Sequence, residues 1–373
     1  MTTFPQQVAP RLEKPLRITE HDWPEGTIPV VSIICPTYNH EKFIEQCLES
    51  FFMQETTFPV EIIIHDDAST DRTTQIVRAC HAKYPRLIRT IVQKENRFQN
   101  GKDLSFLYKT ARGEYIALCE GDDYWTEPHK LQKQVDFLDK HPDYSICGHR
   151  FMHVCGDHPA ASPFPSPVQR ESGTLEDILR WNYLLTCTIV YRAGLVTEIP
   201  SRFKNLLHGD MPMWVLLAQR GRVGYINEIM AAYRLHSGGV WTGTSIETKI
   251  AELEKTIDAI HNHLENRYPR LHRASLCIRY AECATHYTRT GDYANARRRL
   301  RKAFLKSPAT FCTLADARTC IMEQFRFCIL HPLVRSCGWC VGMYHRARIW
   351  AGANRRRLWK AITRHQHGEN PKR

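Results

Sequence analysis

The chain has 373 residues, 43% of them hydrophobic and 10% aromatic, enough apolar side chain for one large or two modest cored domains, which excludes a disordered protein. The formal net charge of +12 is uneven: residues 1–240 hold 26 Lys and Arg against 29 Asp and Glu, while residues 241–373 hold 25 against 10. Two regions with different roles are therefore expected.

No apolar run of about 18 residues is available to span a bilayer. Residues 1–20 carry charges and Pro5, Pro10 and Pro15 in place of the apolar core of a secretory signal, so a cytoplasmic location is expected. The fourteen cysteines stand in apolar contexts such as Ile34-Cys35, Leu118-Cys119 and Ile146-Cys147, where reduced, buried thiols are expected.

From Val30 onward short β-branched runs alternate with helical patterns, the mark of βαβ units around a mostly parallel sheet. The run Val30-Val31-Ser32-Ile33-Ile34 predicts the first strand. Asn39 is expected to cap a helix whose apolar residues Phe43, Ile44, Cys47, Leu48, Phe51 and Phe52 share one face. A second strand over residues 60–64 runs into His65-Asp66-Asp67-Ala68-Ser69-Thr70-Asp71, a turn into a helix ending near Tyr84. A third strand is expected over residues 87–92, then a polar loop over 96–102, a short helix through Leu107, and a fourth strand, Tyr115-Ile116-Ala117-Leu118-Cys119. That strand ends at Glu120-Gly121-Asp122-Asp123.

Pro128 suits the first turn of a helix through Leu131, Val135 and Leu138, which His141-Pro142 stops. Pro159, Pro163, Pro165 and Pro167 predict a loop. Thr174 with Asp177 has capping-box spacing, residues 184–191 read as a strand, Asp210 is expected to cap a helix through Trp214 and Leu217, and Tyr225-Ile226 with residues 229–233 close the sheet. From Ser245 the pattern is helical, and the stretch from Tyr280 through Gly291-Asp292 to Pro308 resembles one tetratricopeptide-type hairpin.

In an open α/β sheet the ligand crevice lies at the carboxyl ends of the strands. Asp66, Asp67, Asp122 and Asp123 all stand there in this reading. Adjacent carboxylates repel unless a cation neutralises them, and hard oxygen donors favour Mg2+ or Mn2+ with positions left for substrate phosphates. A lone Asp-Asp pair is also an ordinary turn; its company separates the two readings. Pro36-Thr37-Tyr38-Asn39 and Asp66-Asp67-Ala68-Ser69 precede it, and Ala111-Arg112-Gly113-Glu114-Tyr115-Ile116 leads into it.

In that order these segments resemble glycosyltransferase family 2 over residues 30–240. The resemblance implies the GT-A fold and an inverting, metal-dependent transfer from a nucleotide-sugar, UDP-sugar first among them, to a glycan or lipid-linked acceptor in cell-surface polysaccharide or glycolipid assembly. It implies that Pro36 and Tyr38 border the base, that Asp67 accepts a hydrogen bond from it, that Asp122 reaches the ribose or metal, and that Asp123 binds Mg2+ or Mn2+. Ordinary packing of Tyr38 and helix capping by Asp67 are the plain alternatives.

By the same resemblance Asp210, in Leu207-His208-Gly209-Asp210-Met211-Pro212, is the candidate general base, a role compatible with capping. The family often has Glu-Asp there; this chain has Gly209-Asp210. Tyr233-Arg234-Leu235-His236-Ser237-Gly238-Gly239 resembles the segment closing the donor site, with His236 as a metal ligand and Arg234 offsetting diphosphate charge; a purely structural histidine is the alternative.

Cys337-Gly338-Trp339-Cys340 has the spacing of a redox or zinc half-site without a second pair, and buried thiols on an amphipathic helix are favoured. The expected organisation is an N-terminal segment (1–27), a GT-A domain (28–242), a helical region (243–310) and a basic amphipathic C-terminus (311–373). That last region interleaves Trp, Tyr and Arg and suits an anionic membrane surface at the inner face of the cell membrane. No nucleic-acid-binding module is recognisable. A non-catalytic nucleotide-sugar-binding scaffold is the rival reading, as is an RNA-binding tail.

Overall fold

The structure, a computed structural model, describes residues 10–98, 100, 106–155, 158–164, 169–204, 206–207, 209–241 and 243–314. The basic segment from 315 onward, with Cys337 to Cys340, lies outside the described residues. The chain divides into two units, Met1–Leu276 and Cys277–Arg373.

In the first unit the short strand β1 (Leu16–Arg17) precedes β2 (Val31–Thr37), whose residues are buried except for partly exposed Pro36. Such a nearly continuous buried run, with Ser32 and Thr37 its polar members, belongs in the middle of a sheet covered on both faces. Helix α1 (Ile44–Phe52) follows and buries Ile44, Cys47, Leu48 and Phe51. Asn39 does not cap it. Asn39 has a left-handed φ of 55°, and its Oδ1 accepts the Thr70 N–H at 2.8 Å. The chain then runs through β3 (Glu55–Thr56), which pairs with β1, into β4 (Val60–Asp66), α2 (Thr73–Lys83), β5 (Ile88–Val92), α3 (Phe106–Thr110) and β6 (Tyr115–Leu118). Strands β5, β4, β2 and β6 lie side by side in parallel, so the acids that follow β4 and β6 arrive at one sheet edge.

The Ala111-Arg112-Gly113 segment belongs to the other end of β6. Arg112 N–H and Nε donate to the carboxylate of buried Glu61, and Gly113 N–H donates to Ser32 Oγ at 2.8 Å. A Cβ on Gly113 would stand 2.6 Å from Ser32 N, so the close approach requires glycine. This motif holds the strand entry rather than the site.

Beyond β6, β7 (Tyr124–Trp125) precedes α4 (Lys130–Lys140), with Pro128 ahead of the helix. Strand β8 (Tyr144–Cys155) is long, and the sequence reading did not contain it. Buried Ser145, Gly148 and His149 interrupt its apolar pattern, and it lies inside the sheet all the same. The proline-rich stretch expected to be a loop contains strand β9 (His158–Phe164), antiparallel to β8. Strand β10 (Ser172–Gly173) leads to α5 (Leu175–Arg180), which begins with the expected Thr174–Asp177 capping box. Residues 184–191 form a 3-10 turn at Thr186–Thr188 before the short strand β11 (Val190–Arg192). Then come α6 (Asp210–Ala218) and β12 (Arg222–Arg234), one strand where two segments were expected, with register shifts along its ladder to β8. The resulting sheet has 10 strands among the described residues, and its longer ladders are parallel. Helix α7 (Ile246–His263), capped by Ser245, continues the unit.

The division between the units falls inside α8 (Pro269–Arg289). The second unit holds the rest of α8, α9 (Tyr293–Lys306) and α10 (Pro308–Thr313). Gly291 turns the chain at φ 83° and Asp292 accepts the Asn295 N–H, an ordinary helical hairpin. Among the described residues no helix is long and apolar enough to cross a membrane.

Lys130 is wholly buried behind the acidic loop, its Nζ 4.1 Å from the Trp125 ring and 2.8 Å from Gln134 Oε1. Burial pulls its pKa down from 10.5 to about 7. The unfolded chain therefore binds more protons than the folded one between about pH 7 and 10.5, and stability from this group rises with pH across that window. Relative to Lys130→Met, the unfolding free energy of the wild type is expected to rise by about 1–2 kcal/mol from pH 7 to 8.5 in urea titrations. A pH-independent difference would show that Lys130 keeps its proton.

Candidate active site

The acidic loop after β6 is fastened to β2: Cys119 N–H donates to the Ile34 carbonyl at 3.2 Å and Gly121 N–H to the Pro36 carbonyl at 3.0 Å. Gly121 crosses so close that an added Cβ would meet Thr37 Oγ1 at 2.5 Å and His40 Nδ1 at 3.0 Å. Glycine is required by space rather than by φ. The loop after β2 is in turn held by the loop after β4. Asn39, His40 and Glu41 donate their N–H groups to Ser69 Oγ, Thr73 Oγ1 and an Asp71 carboxylate oxygen at 2.9, 2.8 and 3.0 Å. The two sequence motifs occur together because one satisfies the other's backbone.

Asp122 is partly exposed. Its Oδ2 lies 3.1 Å from His236 Nε2 and 3.6 Å from His40 Nε2. Burial disfavours its charge, but the His236 hydrogen bond and the nearby His40 and His236 outweigh that and hold the carboxyl below its usual range. Asp123 faces inward at 1% exposure, and its Oδ1 accepts the Arg234 N–H at 2.9 Å. Burial, with Asp122 and Glu120 adding like charge, pushes its carboxyl well above the usual range. Glu120 is raised to about 8 by burial and then by Asp122 and Asp210, so Asp210 shares the field of this loop.

Arg234 ends β12, which pairs with β7 at Ala231–Trp125 and Ala232–Tyr124 and is thereby laid beside the acids. Its guanidinium is 8% exposed as a residue, stands 5.1 Å from the Phe43 ring and 4.5 Å from the Tyr124 ring, and donates to the Asp122 carbonyl at 2.5 Å and to Gln46 Oε1. Through these two bonds Arg234 braces the backbone of the acidic loop and ties it to α1.

Pro36 and Tyr38 are partly exposed at the end of β2. Asp66 is buried, and its oxygens accept from Ser69 N–H at 3.0 Å and from the Thr74 hydroxyl, which makes it the organiser of its turn. Asp67 is buried too, with Oδ1 accepting the Arg97 N–H at 2.8 Å and Oδ2 the Phe98 N–H at 2.9 Å. A carboxylate has about four acceptor positions, so lone pairs remain for another donor. Asp210 is the first residue of α6 and partly exposed, and Gly209 holds the cap position that Asp210 was expected to fill.

Residues 32–196 match the family model described as Glycosyl transferase family 2. A teichuronic acid biosynthesis glycosyltransferase assigned in Bacillus subtilis (strain 168) is 30% identical over 221 residues, 57% of this chain and 81% of that one. An uncharacterised Mycobacterium tuberculosis (strain H37Rv) protein is 38% identical over 248 residues, 63% of this chain and 70% of that one.

The chain belongs to glycosyltransferase family 2.

The fold agrees. A solved mannosyltransferase from Pyrobaculum calidifontis, in complex with GDP-Man and Mn2+, aligns with TM-score 0.50 at 14% identity over 94% of this chain and 92% of that one, and the fold is GT-A. Within this family 2 glycosyltransferase the sequence reading had located Asp122, Asp123, His236 and Arg234, which the structure brings together. It had missed His40, Thr37, Phe43 and Gln46. The His40 side chain could be found only through the close crossing at Gly121, which no spacing reveals.

Proposed function

We propose that this glycosyltransferase performs an inverting, Mg2+- or Mn2+-dependent transfer from a nucleoside diphosphate sugar, a UDP-sugar first, to a hydroxyl of a glycan or lipid-linked acceptor in cell-surface polysaccharide assembly. The supporting observation is the pair of Asp122 Oδ2 and His236 Nε2, 3.1 Å apart at the carboxyl ends of the strands. A carboxylate oxygen and an imidazole nitrogen at that spacing fit two neighbouring positions on one divalent cation. Among the described residues no group of three or more His, Cys, Asp or Glu is arranged around an ion, so water and diphosphate oxygens would complete the shell.

In this reading Asp122 takes the ligand role first given to Asp123. Asp123 instead holds the start of the His236 segment through Arg234 N–H. The bound cation would offset charge on the departing diphosphate. Pro36, Tyr38 and Asp67 receive the nucleoside, and Asp210 takes the proton of the acceptor hydroxyl.

The test is a panel of UDP-, GDP- and TDP-sugars with and without Mn2+, read as hydrolysis or transfer. Turnover that survives complete removal of divalent cation would sink the mechanism.

We place the protein at the inner face of the membrane. Support comes from α9, where Phe304 and Leu305 are 46% and 69% exposed beside exposed Arg298, Arg301 and Lys306, and from the basic residues beyond 315. Removing residues 320–373 is expected to reduce flotation with anionic vesicles; equal flotation of both forms would count against it.

A further inference from the structure

His40 lies against the acidic loop, and the family resemblance gave it no role. Its backbone is held by Thr73 Oγ1 and its Nδ1 lies 3.1 Å from Thr37 Oγ1. The Asp122 carboxylate on the other side of the ring favours the tautomer in which Nδ1 accepts from the Thr37 hydroxyl and the proton sits on Nε2, 3.6 Å from the same Asp122 oxygen that His236 meets at 3.1 Å. The two imidazoles stand edge to face, their centroids 6.4 Å apart.

These positions have a consequence once a cation is present. A histidine that ligates a metal turns its nitrogen lone pair to the ion, so His236 can no longer donate to Asp122. The carboxylate then needs another donor to keep its aim. We propose that His40 is a positioning residue that holds Asp122 through Nε2–H when Asp122 and His236 take up the divalent cation. This rests on the reading of Asp122 as a metal ligand. Gly121 is part of the device, because any side chain there would strike both Thr37 and His40.

Asparagine and glutamine separate this role from simple packing. Gln places its amide nitrogen near the Nε2 position and can reach Asp122; Asn places its amide near Nδ1 and can reach only Thr37. The experiment measures Mn2+ affinity of the full chain by calorimetry and by electron paramagnetic resonance in the presence of UDP. His40→Ala is expected to weaken Mn2+ binding by about 10-fold or more, with metal-free UDP affinity unchanged. His40→Gln is expected to recover most of the loss and His40→Asn little of it.

Recovery by Asn equal to that by Gln, or wild-type Mn2+ affinity in His40→Ala while Asp122→Ala loses the ion, would overturn the proposal. Unchanged affinity in Asp122→Ala would instead remove the metal reading on which it stands. Thermal melting of the Asn and Gln variants checks that both are folded.

Discussion

Asp122→Ala is expected to lower Mn2+-supported transfer by about 10²–10³-fold, the usual cost of removing one group that stabilises charge in a transition state. The His236 hydrogen bond and the nearby His40 and His236 hold its carboxyl below the usual range against burial, and its side chain is partly exposed. Its loss leaves His236 as a single donor, so half-saturation should move to higher Mn2+ concentration. Asp123→Asn is the informative partner. An asparagine oxygen can still accept the Arg234 N–H, so this variant should keep a near-normal Mn2+ requirement. Initial rates against Mn2+ concentration decide it: a larger shift for Asp123→Asn than for Asp122→Ala would return the ligand role to Asp123.

Asp210→Asn is expected to reduce kcat by about 10²–10⁴-fold, the contribution of a placed general base, while leaving Mn2+ affinity and donor KM near wild type. The substitution preserves shape, and the cap position of α6 belongs to Gly209 rather than Asp210. Its charge is among those that raise the Glu120 carboxyl of the acidic loop, after burial and Asp122. Rates across pH at saturating donor test it. A variant retaining more than about a tenth of wild-type kcat would remove Asp210 from the base role.

Much of the fold could be read before any coordinates because its local and global preferences coincide. The run from Val31 to Ile34, apolar but for buried Ser32, becomes the central strand β2; the spacing of Ile44, Cys47, Leu48 and Phe51 becomes the buried face of α1. The expected burial of Cys35, Cys119 and Cys147 holds for the same reason. Strand β8 escaped because Ser145, Gly148 and His149 are buried by partners remote in sequence, and periodicity registers only neighbours. The prolines of β9 escaped because a short pairing with β8 accommodates residues that a central strand would reject.

For the site, the sequence by itself determined that acids stand at the ends of β4 and β6, that an arginine ends the last strand and that a histidine follows it. The spacing of polar residues about strand ends is a local property, and it is carried in the chain. Only the tertiary structure decided which way each side chain faces. Asp122 and Asp123 are adjacent, yet successive residues leave the backbone in different directions. The pairing of β12 with β7 then sends one to His236 and the other to a buried Arg234 N–H. The same pairing turned Arg234 into a brace, and the close passage of Gly121 over Thr37 brought in His40. These are contacts between segments tens of residues or more apart, and packing alone selects them.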